Sequence, residues 1–548
     1  MKGYTMQQVF GTKASGGIAM GRLHVIAHTL PQTGQRAGEP AQERANYFAA
    51  KKKAVWQLES LAQSCREQEN DVAADVLEAQ SMMLEGDDFD AAVTEKIDGG
   101  VSAVTALEQT GEEFYQIFAA MDEAYYRERA EDMHNISRYV IEALQGGGEE
   151  KFHLEEPSII WAEDLAPSET VRLKREMVLG FITEKGSTNG HTAILARGMG
   201  IPMICCAHGE TGTPQEGILA ILDGETGCAI LDPDAPTRRI YREKLEAQKT
   251  HREELEQLID AEDITLDGQK LKLYCNIGSE QDVPAVLANG GRGVGLMRTE
   301  FLYIGSDHFP TEEEQFGRYK AVAEAMGEKP VIIRTLDIGA DKSADYFGLE
   351  KEENPALGLR AIRICLTRPE LFRTQLRAIY RASAFGNLNI MFPMVTSRWE
   401  VEACLDMCRQ VREELEAEHI PVAARVPLGI MVETPAAVLM AEELAGMVDF
   451  FSIGTNDLTQ YMLACDRQSN ALNRFNDPHN PAVLRAIEMT VRSAHNQGKW
   501  VGICGELGSD RELLEWFLKI GVDELSVSPD NVLPIRRQLR ELNLQNQS

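Results

Sequence analysis

The stretch Thr183–Cys206, TEKGSTNGHTAILARGMGIPMICC, combines the signals of a glycine-rich turn, a helix and a strand. It follows the apolar run Val178–Ile182, and its last residues form a second apolar run, Ile201–Cys206; both are typical of buried strands. Gly186 and Gly190 mark the turn between the first strand and the helix. The order strand, turn, helix, strand predicts an α/β domain around this stretch.

His191 stands where the turn becomes the helix. A helix N-terminus offers free backbone N–H groups and a partial positive charge, so it would stabilise an anion carried by this histidine. Imidazole titrates near ~6.5, so its neutral form is available as a nucleophile at cellular pH. The alternative is a histidine that begins a helix and has no chemical role.

Length and charge exclude several classes of protein. A chain of 548 residues is too long for one core and predicts roughly three or four domains. The 86 acidic residues outnumber the 55 basic ones and give a net charge of −31, which would repel nucleic acid and anionic membranes. We find no apolar segment long enough to insert into a membrane and no secretory leader. The ten cysteines contain no CxxC pair, which favours a reducing, cytoplasmic location over a disulfide framework or a zinc site.

The first half of the chain predicts a helical insertion in an α/β domain. Residues 31–148 contain four amphipathic helical segments with little Pro or Gly, typical of a small helical bundle. A strand-like run, Leu23–Ala27, precedes them, and residues 149–233 alternate apolar runs with turns. We therefore expect residues 1–30 and 149–233 to form one α/β domain. Residues 234–263 are polar and charge-rich, which predicts a long, solvated linker helix.

Residues 264–548 predict a TIM (β/α)8 barrel, because eight strand-like runs alternate mostly with helical stretches. Barrels of this kind place their chemistry at the C-terminal ends of the strands. The eight runs are Leu273–Ile277, Val294–Met297, Val331–Arg334, Ile390–Met394, Leu428–Val432, Phe450–Ile453, Trp500–Cys504 and Leu525–Val527.

Polar residues follow these runs at the predicted strand ends. Glu433 and Asp457 end two neighbouring runs, and their oxygens suit Mg²⁺, which keeps open positions for water or substrate oxygens. Guanidinium groups bind phosphate and carboxylate with two hydrogen bonds at once. The arginines that could reach the same rim are Arg298, Arg334, Arg360 and Arg467. Together they indicate a phosphorylated, carboxylated small molecule as substrate, although rim salt bridges that only hold the barrel together would use the same residues.

Cys504, in the sequence GICGE, is a candidate proton donor. A thiol with a pKa near ~8.5 can be poised to give up its proton. The alternative is a small residue buried in the core, which the local sequence favours equally.

With these residues in place, the chain resembles enzyme I of the bacterial phosphoenolpyruvate:sugar phosphotransferase system, the phosphoenolpyruvate-protein phosphotransferase family. The resemblance covers essentially the whole chain and keeps the order of the motifs. The matching motifs are DLAPSET (Asp164–Thr170), GHTAILARGMGIP, GVGLMRTEFLY (Gly293–Tyr303), PTEEEQF, RTLDIGADK (Arg334–Lys342), EENPALGLRAIRICL, VETPAA (Val432–Ala437), FFSIGTNDLTQYMLACDR (Phe450–Arg467) and GICGEL (Gly502–Leu507).

The resemblance implies a phosphohistidine α/β domain, an inserted helical domain that binds the carrier protein HPr, and a phosphoenolpyruvate-binding barrel that forms a homodimer. It implies that His191 is phosphorylated and that Cys504 protonates the enolate of pyruvate. Arg129 would lie near the phosphohistidine. Phosphoenolpyruvate contacts would come from Arg298, Arg334, Arg360, Asn456, Asp457 and Arg467, and the Mg²⁺ ligands would be Glu433 and Asp457. The activity would be the first step of sugar uptake, a transfer of phosphate from phosphoenolpyruvate to His191 and then to a carrier histidine.

Three positions depart from the family pattern. The family usually reads GG-x-TSHTA where this chain reads GSTNGHTA, so Ser187 and Gly190 differ from it. Gln80 stands where the family commonly has histidine. The alternative prediction is therefore a regulatory or specialised relative with altered carrier recognition. Pyruvate phosphate dikinase shares the barrel motifs, but it carries a large ATP-binding domain for which the residues before His191 leave no room.

Overall fold

A computed structural model describes most of the chain in two compact units. The described residues are 6–26, 38–67, 71–121, 130–145, 152, 154–165, 167–170, 172–188, 190–209, 214–304, 306, 308–339, 345–350, 352–472 and 474–546. The first unit is Met1–Lys249 and the second is Thr250–Ser548. This division into two units does not fix the limits of the four segments predicted from the sequence, which stay a prediction.

The described part of the first unit contains a closed sheet of seven strands in the order β1-β5-β4-β3-β2-β6-β7. Strands β2 to β5 pair in parallel, and the remaining pairs are antiparallel. Two apolar clusters pack on this sheet. The helix His191–Met199 follows β4, as the sequence predicts. The strands are β1 Gln7–Ser15, β2 Ile18–Ile26, β3 Ser158–Ala162, β4 Val178–Thr183, β5 Met203–His208, β6 Leu219–Asp223 and β7 Cys228–Leu231.

The start of the chain is more regular than the single strand-like run at Leu23–Ala27 predicts. Two strands of nine residues, β1 and β2, occupy this region. In β1 only Val9, Ala14 and Ser15 are buried, so the strand lacks the alternating apolar pattern that identifies strands from sequence. Backbone pairing with β5 and β7 on both sides stabilises it instead.

The helical part of the first unit has five helices among the described residues, not the four expected. The helix missed is Asp87–Asp98, which buries only Phe89, Val93 and Ile97 and exposes its charged residues. Gly86 and Gly99 flank it, so from the sequence it is difficult to distinguish from a turn. The helices are Pro40–Glu67, Asp71–Leu84, Asp87–Asp98, Ala103–Ala119 and Ala130–Gln145, and their inward faces form one apolar cluster.

The predicted linker helix is Ala235–Glu256, and none of its residues is buried. It ends before Asp263, the limit expected from sequence. The chain turns here because Arg536 holds it: its guanidinium donates to the carbonyl groups of Leu258 and Ile259 and contacts Asp263. No helix among the described residues is both long and apolar enough to cross a membrane.

The described part of the second unit forms a closed barrel of eight strands, β8 to β15, and all of its strand pairs are parallel. The predicted α/β multidomain fold, with its TIM barrel and helical bundle, is confirmed. The strands are β8 Lys272–Ile277, β9 Val294–Met297, β10 Val331–Arg334, β11 Leu388–Phe392, β12 Leu428–Val432, β13 Phe450–Ile453, β14 Trp500–Ile503 and β15 Glu524–Val527.

Helices surround this barrel and bury its outer face in a large apolar cluster. The barrel interior has a smaller apolar cluster that includes Leu296, Met391, Phe450 and Cys504. The helices are Val283–Ala288, Glu300–Ile304, Glu312–Met326, Ile362–Thr367, Pro369–Ala382, Arg398–Ala417, Pro435–Leu439, Ala441–Ala445, Thr455–Leu463, Pro481–Asn496, Leu514–Ile520 and Pro529–Glu541.

Candidate functional site

Hydrogen bonds from two side chains hold the turn before His191 in place. The Arg197 guanidinium donates 2.8 Å bonds to the carbonyl groups of Ala14 and Thr188. The Cys206 thiol donates to the carbonyl of Gly186 at 3.1 Å. The bonds to Thr188 and Gly186 hold the loop against the helix and the following strand, and the bond to Ala14 joins the helix to β1. His191 is the first residue of that helix; its side chain lies outside the described structure.

Thr192 ties the same helix to the DLAPSET segment, because its buried hydroxyl donates to the carbonyl of Leu165 at 3.2 Å. Gly190 caps the helix with its backbone and makes no side-chain cap bond. The hydroxyl of Ser187 lies 3.6 Å from the position that a Cβ at Gly190 would take. This hydroxyl therefore lies close to the place where a side chain at position 190 would begin.

One cavity at the C-terminal end of the barrel brings together most of the predicted substrate and metal residues. Its volume is about 200 Å³. It opens where strands end and the following loops begin, as the barrel geometry requires. The predicted residues that line it are Arg298, Arg334, Glu433, Asn456, Asp457, Arg467 and Cys504, joined by Glu300, Asp337 and Glu506.

Asp337 joins two of the arginines. Its Oδ2 lies 2.8 Å from Nη1 of Arg334, and its Oδ1 lies 2.9 Å from Nη2 of Arg360. Arg334 also contacts Glu300. Burial alone would lower the pKa of both guanidinium groups, but Asp337 raises it above its ordinary value. Both groups therefore stay charged and fixed in direction.

The four predicted arginines have different environments. Arg298 is exposed and forms no ion pair among the described residues. The Nη2 atom of Arg467 lies 3.6 Å from Oδ1 of Asp457. Arg360 does not line the cavity; it lines a neighbouring cavity of about 430 Å³ and approaches the site through Asp337 and Asp457.

Glu433 and Asp457 meet the requirements of a cation site. Burial raises the pKa of Glu433 well above its ordinary value, and the carboxylates of Asp457 and Asp337 raise it further. Oδ1 of Asp457 is buried without a hydrogen-bond partner among the described residues. A Cβ at Gly454 would lie 2.7 Å from Oε2 of Glu433, so glycine makes room for this carboxylate. A divalent cation would relieve the repulsion between the carboxylates and use the unpartnered oxygen.

The residues present fit Mg²⁺ rather than a metal held entirely by protein. Among the described residues, no group of three or more His, Cys, Asp and Glu side chains is placed to hold a metal ion. Mg²⁺ is commonly bound by one or two carboxylates, with water and substrate oxygens in the remaining positions.

Cys504 is almost fully buried beside this cavity, with its backbone N–H donating to the carbonyl of Ile453 at 3.1 Å. Burial raises the pKa of the Cys504 thiol to about 12, and Ser452 and Glu433 also influence it. The thiol is therefore protonated at neutral pH, the state that a proton donor needs.

Several positioning residues were not among the predicted site residues. Asn456 and Glu506 exchange two hydrogen bonds: Nδ2 of Asn456 donates to Oε1 of Glu506 at 3.1 Å, and the Glu506 N–H donates to Oδ1 of Asn456 at 2.9 Å. The sequence places Asp337, Glu300 and Glu506 at the predicted strand ends, but it gives them no role there. What the sequence does not show is which charges pair with each other.

Two further predictions concern the first unit. Arg129 lies outside the described residues. Gln80 is fully buried in the helical bundle, and its Nε2 donates to Oδ1 of Asp132 at 2.7 Å. Gln80 therefore does not offer its side chain to a partner protein on the surface of the bundle.

Comparisons with known proteins cover both units. Three family models match: "PEP-utilising enzyme, N-terminal" over residues 10–129, "PEP-utilising enzyme, mobile domain" over 154–227, and "PEP-utilising enzyme, PEP-binding domain" over 252–544. The chain is 40% identical over 543 residues to a phosphoenolpyruvate-protein phosphotransferase of Bacillus subtilis (strain 168), which covers 98% of this chain and 95% of that protein.

A phosphoenolpyruvate-protein phosphotransferase of Staphylococcus carnosus (strain TM300) is also 40% identical, over 545 residues, covering 98% of this chain and 94% of that protein. Among solved structures, the solution structure of Enzyme I (nEIt) has 29% sequence identity and a TM-score of 0.38, covering 44% of this chain and 99% of that chain.

Proposed function

Because the chain belongs to the phosphoenolpyruvate-protein phosphotransferase family, we propose that it transfers the phosphoryl group of phosphoenolpyruvate to its own His191 and then to a carrier protein, with release of pyruvate. The resemblance read from the sequence motifs is confirmed by these relatives and by the three matching domain families. The chain is an enzyme of phosphoryl transfer, and its C-terminal unit carries the PEP-binding domain.

The observation that carries the proposal is the convergence of arginines, carboxylates and a protonated thiol on one cavity. Phosphoenolpyruvate has a phosphate and a carboxylate, and Arg298, Arg334 and Arg467 offer guanidinium groups for both. Asn456, held by Glu506, supplies a polar amide at the same wall. Positioning and charge stabilisation are the main demands of phosphoryl transfer, so a rigid cationic cavity is well suited to it.

Glu433 and Asp457 hold Mg²⁺ in this proposal. When bound, the ion neutralises phosphate charge and helps to orient the transferring group. Asp457 also orients Arg467 and Arg360, whose guanidinium groups lie 3.6 Å and 3.8 Å from its Oδ1. The carboxylate would therefore hold the cation and the arginines in one fixed arrangement.

The neutral imidazole of His191 attacks the phosphorus, and the enolate of pyruvate leaves. The N-terminus of the helix His191–Met199 then stabilises the phosphohistidine through its free N–H groups and its dipole, and the hydrogen-bonded turn before it keeps that N-terminus in position. Arg129 assists near the phosphohistidine. The thiol of Cys504 gives its proton to the methylene carbon of the enolate, forming pyruvate.

Phosphorylation by phosphoenolpyruvate tests this function. The protein incubated with Mg²⁺ and phosphoenolpyruvate should gain one acid-labile phosphate and release one pyruvate. His191→Ala should lose both. Persistence of the phosphate in that variant would refute the assignment of His191. Glu433→Gln should block phosphorylation by phosphoenolpyruvate, yet accept phosphate from a phosphorylated carrier, because that half-reaction does not use the cavity.

The acceptor we propose is a small HPr-like phosphocarrier, bound by the helical bundle, and the protein acts in the cytoplasm as a homodimer joined through the barrel. All ten cysteines are unpaired, which suits a reducing compartment. A phosphorylated protein mixed with purified HPr should pass its phosphate to the carrier histidine, and sedimentation should give twice the chain mass. If the phosphorylated protein does not transfer its phosphate to HPr but does transfer it to another carrier, the alternative prediction of a specialised relative would be favoured.

A further inference from the structure

Gln375 is a fully buried amide on the helix Pro369–Ala382, outside the barrel. Its neighbours on the same buried face include Phe372, Leu376 and Ile379, which belong to the large apolar cluster between the helices and the strands. A buried amide must form its hydrogen bonds within the protein, because an unsatisfied polar group is costly there. The partners of Gln375 therefore show what it holds in place.

The amide of Gln375 joins the ends of β9 and β10, two neighbouring barrel strands. Its Oε1 accepts from the backbone N–H of Leu336 at 2.8 Å, two residues beyond β10. Its Nε2 donates to the hydroxyl of Thr299 at 3.2 Å, two residues beyond β9. The N–H of Leu336 can only donate, so the amide oxygen must face it and the amide nitrogen must face the hydroxyl. One side chain thus fixes the distance between the two strand ends.

Both strand ends carry residues that line the proposed phosphoenolpyruvate cavity. Thr299 stands between two of these residues, Arg298 and Glu300. Its buried hydroxyl also donates to the backbone carbonyl of a third, Arg334, at 3.0 Å. The other partner of the amide is the backbone N–H of the residue directly before Asp337, which lines the same cavity. The amide therefore holds the backbone beside the arginines of the site.

The helix that carries Gln375 is itself held by a second helix. Arg377 and Arg381 lie on its partly exposed side, and each pairs with Glu312 at 2.7 Å. Glu312 is the first residue of the helix whose Tyr319 hydroxyl accepts from Nε2 of Gln375 at 3.2 Å. Ion pairs on one side and a hydrogen bond on the other thus join the two helices. The outer helices therefore give the amide a fixed position relative to the strand ends.

We propose that Gln375 is a positioning residue for phosphoenolpyruvate. It does not line the cavity, so it acts through the backbone at the ends of β9 and β10. It keeps the arginines there at the separation that the phosphate and the carboxylate of the substrate require. This inference rests on the proposed function, and it adds a residue of the outer helices to those that set substrate affinity. Without the amide, the Leu336 N–H and the Thr299 hydroxyl each lose a partner, and the two strand ends can move apart.

Gln315 provides a matched control in the same chain of hydrogen bonds. It is also a buried glutamine, and its Nε2 donates to the carbonyl of Pro310 at 2.9 Å. Its Oε1 accepts from the hydroxyls of Tyr319 and Tyr303, at 3.1 Å and 3.3 Å. None of these three partners lines the cavity. Loss of the Gln315 amide should therefore destabilise the protein but leave the two strand ends joined.

Substrate binding is measured in the full-length His191→Ala protein with Mg²⁺, by calorimetric titration with phosphoenolpyruvate, because this variant lacks the acceptor imidazole. Adding Gln375→Met should raise the dissociation constant by about fivefold or more, since a buried group left without its hydrogen bond costs at least that much. Adding Gln315→Met should leave the dissociation constant nearly unchanged. With His191 intact, Gln375→Met should raise KM and change kcat little, because the lost interaction serves the bound substrate and the transition state alike.

A double variant tests the link between the amide and the hydroxyl. Thr299→Val removes the other half of that link, so its effect on the dissociation constant should not add to that of Gln375→Met. The double variant should therefore bind phosphoenolpyruvate more tightly than the product of the two single effects predicts. Full additivity would show that the two side chains act separately and would contradict the proposed link.

An unchanged dissociation constant in Gln375→Met overturns the inference. An equal rise in Gln315→Met also overturns it, because both variants would then act through a general loss of packing. If Gln375→Met does not fold, Thr299→Val decides the question by the same titration, and unchanged binding there overturns the inference. Failure of the His191→Ala protein to bind phosphoenolpyruvate would refute the proposed function itself, and the role of Gln375 with it.

Discussion

Ser187 and Gly190 keep one hydroxyl beside the start of the helix His191–Met199. The family pattern has its hydroxyl at position 190, directly before the histidine. Here the Ser187 hydroxyl lies 3.6 Å from where that side chain would begin. Gly190 has an ordinary φ of −67°, so a side chain there meets no conformational strain, although its Cβ would approach the Ser187 carbonyl oxygen to 3.2 Å. We therefore predict that the two departures from the pattern compensate for each other.

Removing the Ser187 hydroxyl should weaken the phosphohistidine. Ser187→Ala removes one donor worth about 0.5–1.5 kcal/mol, so the phosphorylated fraction at a fixed ratio of phosphoenolpyruvate to pyruvate should correspond to a roughly 2–10-fold smaller equilibrium constant. The double variant Ser187→Ala with Gly190→Ser should recover it. Quantifying acid-labile phosphate across a series of ratios measures the constant. An unchanged constant in Ser187→Ala would show that this hydroxyl does not contact the phosphoryl group.

Asp337 should control substrate affinity without touching the substrate. Asp337→Asn removes the charge that holds Arg334 and Arg360, at 2.8 Å and 2.9 Å, in fixed directions. Loss of one partner in a buried, charged arrangement costs several kcal/mol, about 3–5, part of which should appear as a raised KM for phosphoenolpyruvate. Steady-state kinetics with a carrier present measures this. Asp449→Asn, which breaks the exposed pair with Arg425, is the control and should leave KM unchanged.

The residues of the barrel site could be predicted because strand ends are visible as the ends of apolar runs, and a parallel barrel gathers those ends. Glu433, Asp457 and Cys504 were predicted in this way, and the structure places all three at one cavity. The pairing of Asp337 with Arg334 and Arg360 could not be predicted, because it depends on side-chain directions and distances that a strand pattern does not contain.

Among the elements, the helix Pro529–Glu541 has a stabilising role that its sequence does not reveal. Its Arg536 is fully buried and donates to the carbonyl groups of Leu258, Ile259 and Gly290, while its Nε lies 2.5 Å from Oδ1 of Asp263. The helix thus fixes the segment that leads into the barrel. Substitution of this one arginine would leave several acceptors unsatisfied at once.

Arg536→Met should destabilise the second unit by about 3–5 kcal/mol near neutral pH, because the carboxylate of Asp263 is left buried without its main partner. Calorimetry of the full chain should show one transition shifted to lower temperature. Arg540→Met is the control: Arg540 lies on the same helix and donates to the carbonyl of Glu262 from an exposed position, so the shift should be small.

The same variant should recover stability in acid. Burial raises the pKa of Asp263, and Arg536 opposes that effect. In Arg536→Met the folded-state pKa rises further, so the folded form binds the proton more tightly than the unfolded chain does. The stability that comes from this proton is present at low pH and is lost as pH rises through the folded-state pKa. The deficit of the variant should therefore be smaller at pH 5 than at pH 7, and a deficit independent of pH would contradict this account.

Helices and strands could be predicted where apolar residues recur regularly along the segment. The eight barrel strands agree with the predicted runs to within about two residues, because each buries nearly every residue. The helix Asp87–Asp98 and the strand Gln7–Ser15 were missed, since each buries only three residues. Their stability comes from tertiary packing and backbone pairing, which a local pattern does not report.

At the scale of the whole molecule, the two units should work as separate catalysts of half-reactions. A fragment Met1–Lys249 contains the closed seven-stranded sheet, the bundle and His191, so it should fold and exchange phosphate with a phosphorylated carrier. It should be inert to phosphoenolpyruvate, because the cavity residues lie in the other unit. Circular dichroism and phosphate transfer are the measurements, and acceptance of phosphate directly from phosphoenolpyruvate would contradict the division.

The complementary fragment should begin at Thr250. A start at Leu266 would remove Leu258, Ile259 and Asp263, which satisfy the buried Arg536. The longer fragment should bind phosphoenolpyruvate, but it should not become phosphorylated because it lacks His191. Comparing the thermal stability of the two fragments tests the boundary: equal stability would show that the segment 250–265 is dispensable.

The helix Ala235–Glu256 buries none of its residues, and this has a consequence for how the sequence can change. A saturation library across the whole chain should find it the most permissive stretch, accepting almost any side chain that a helix tolerates. Proline, which costs about 3 kcal/mol within a helix, and glycine, about 1 kcal/mol, should be the main exceptions. The helix is then constrained by its backbone and by the few side chains that pair outside it, such as Tyr241, whose hydroxyl donates to Asp223 at 3.1 Å, and Glu254, which accepts from Arg537 at 3.0 Å. Lineages of this protein could accumulate differences at its other positions.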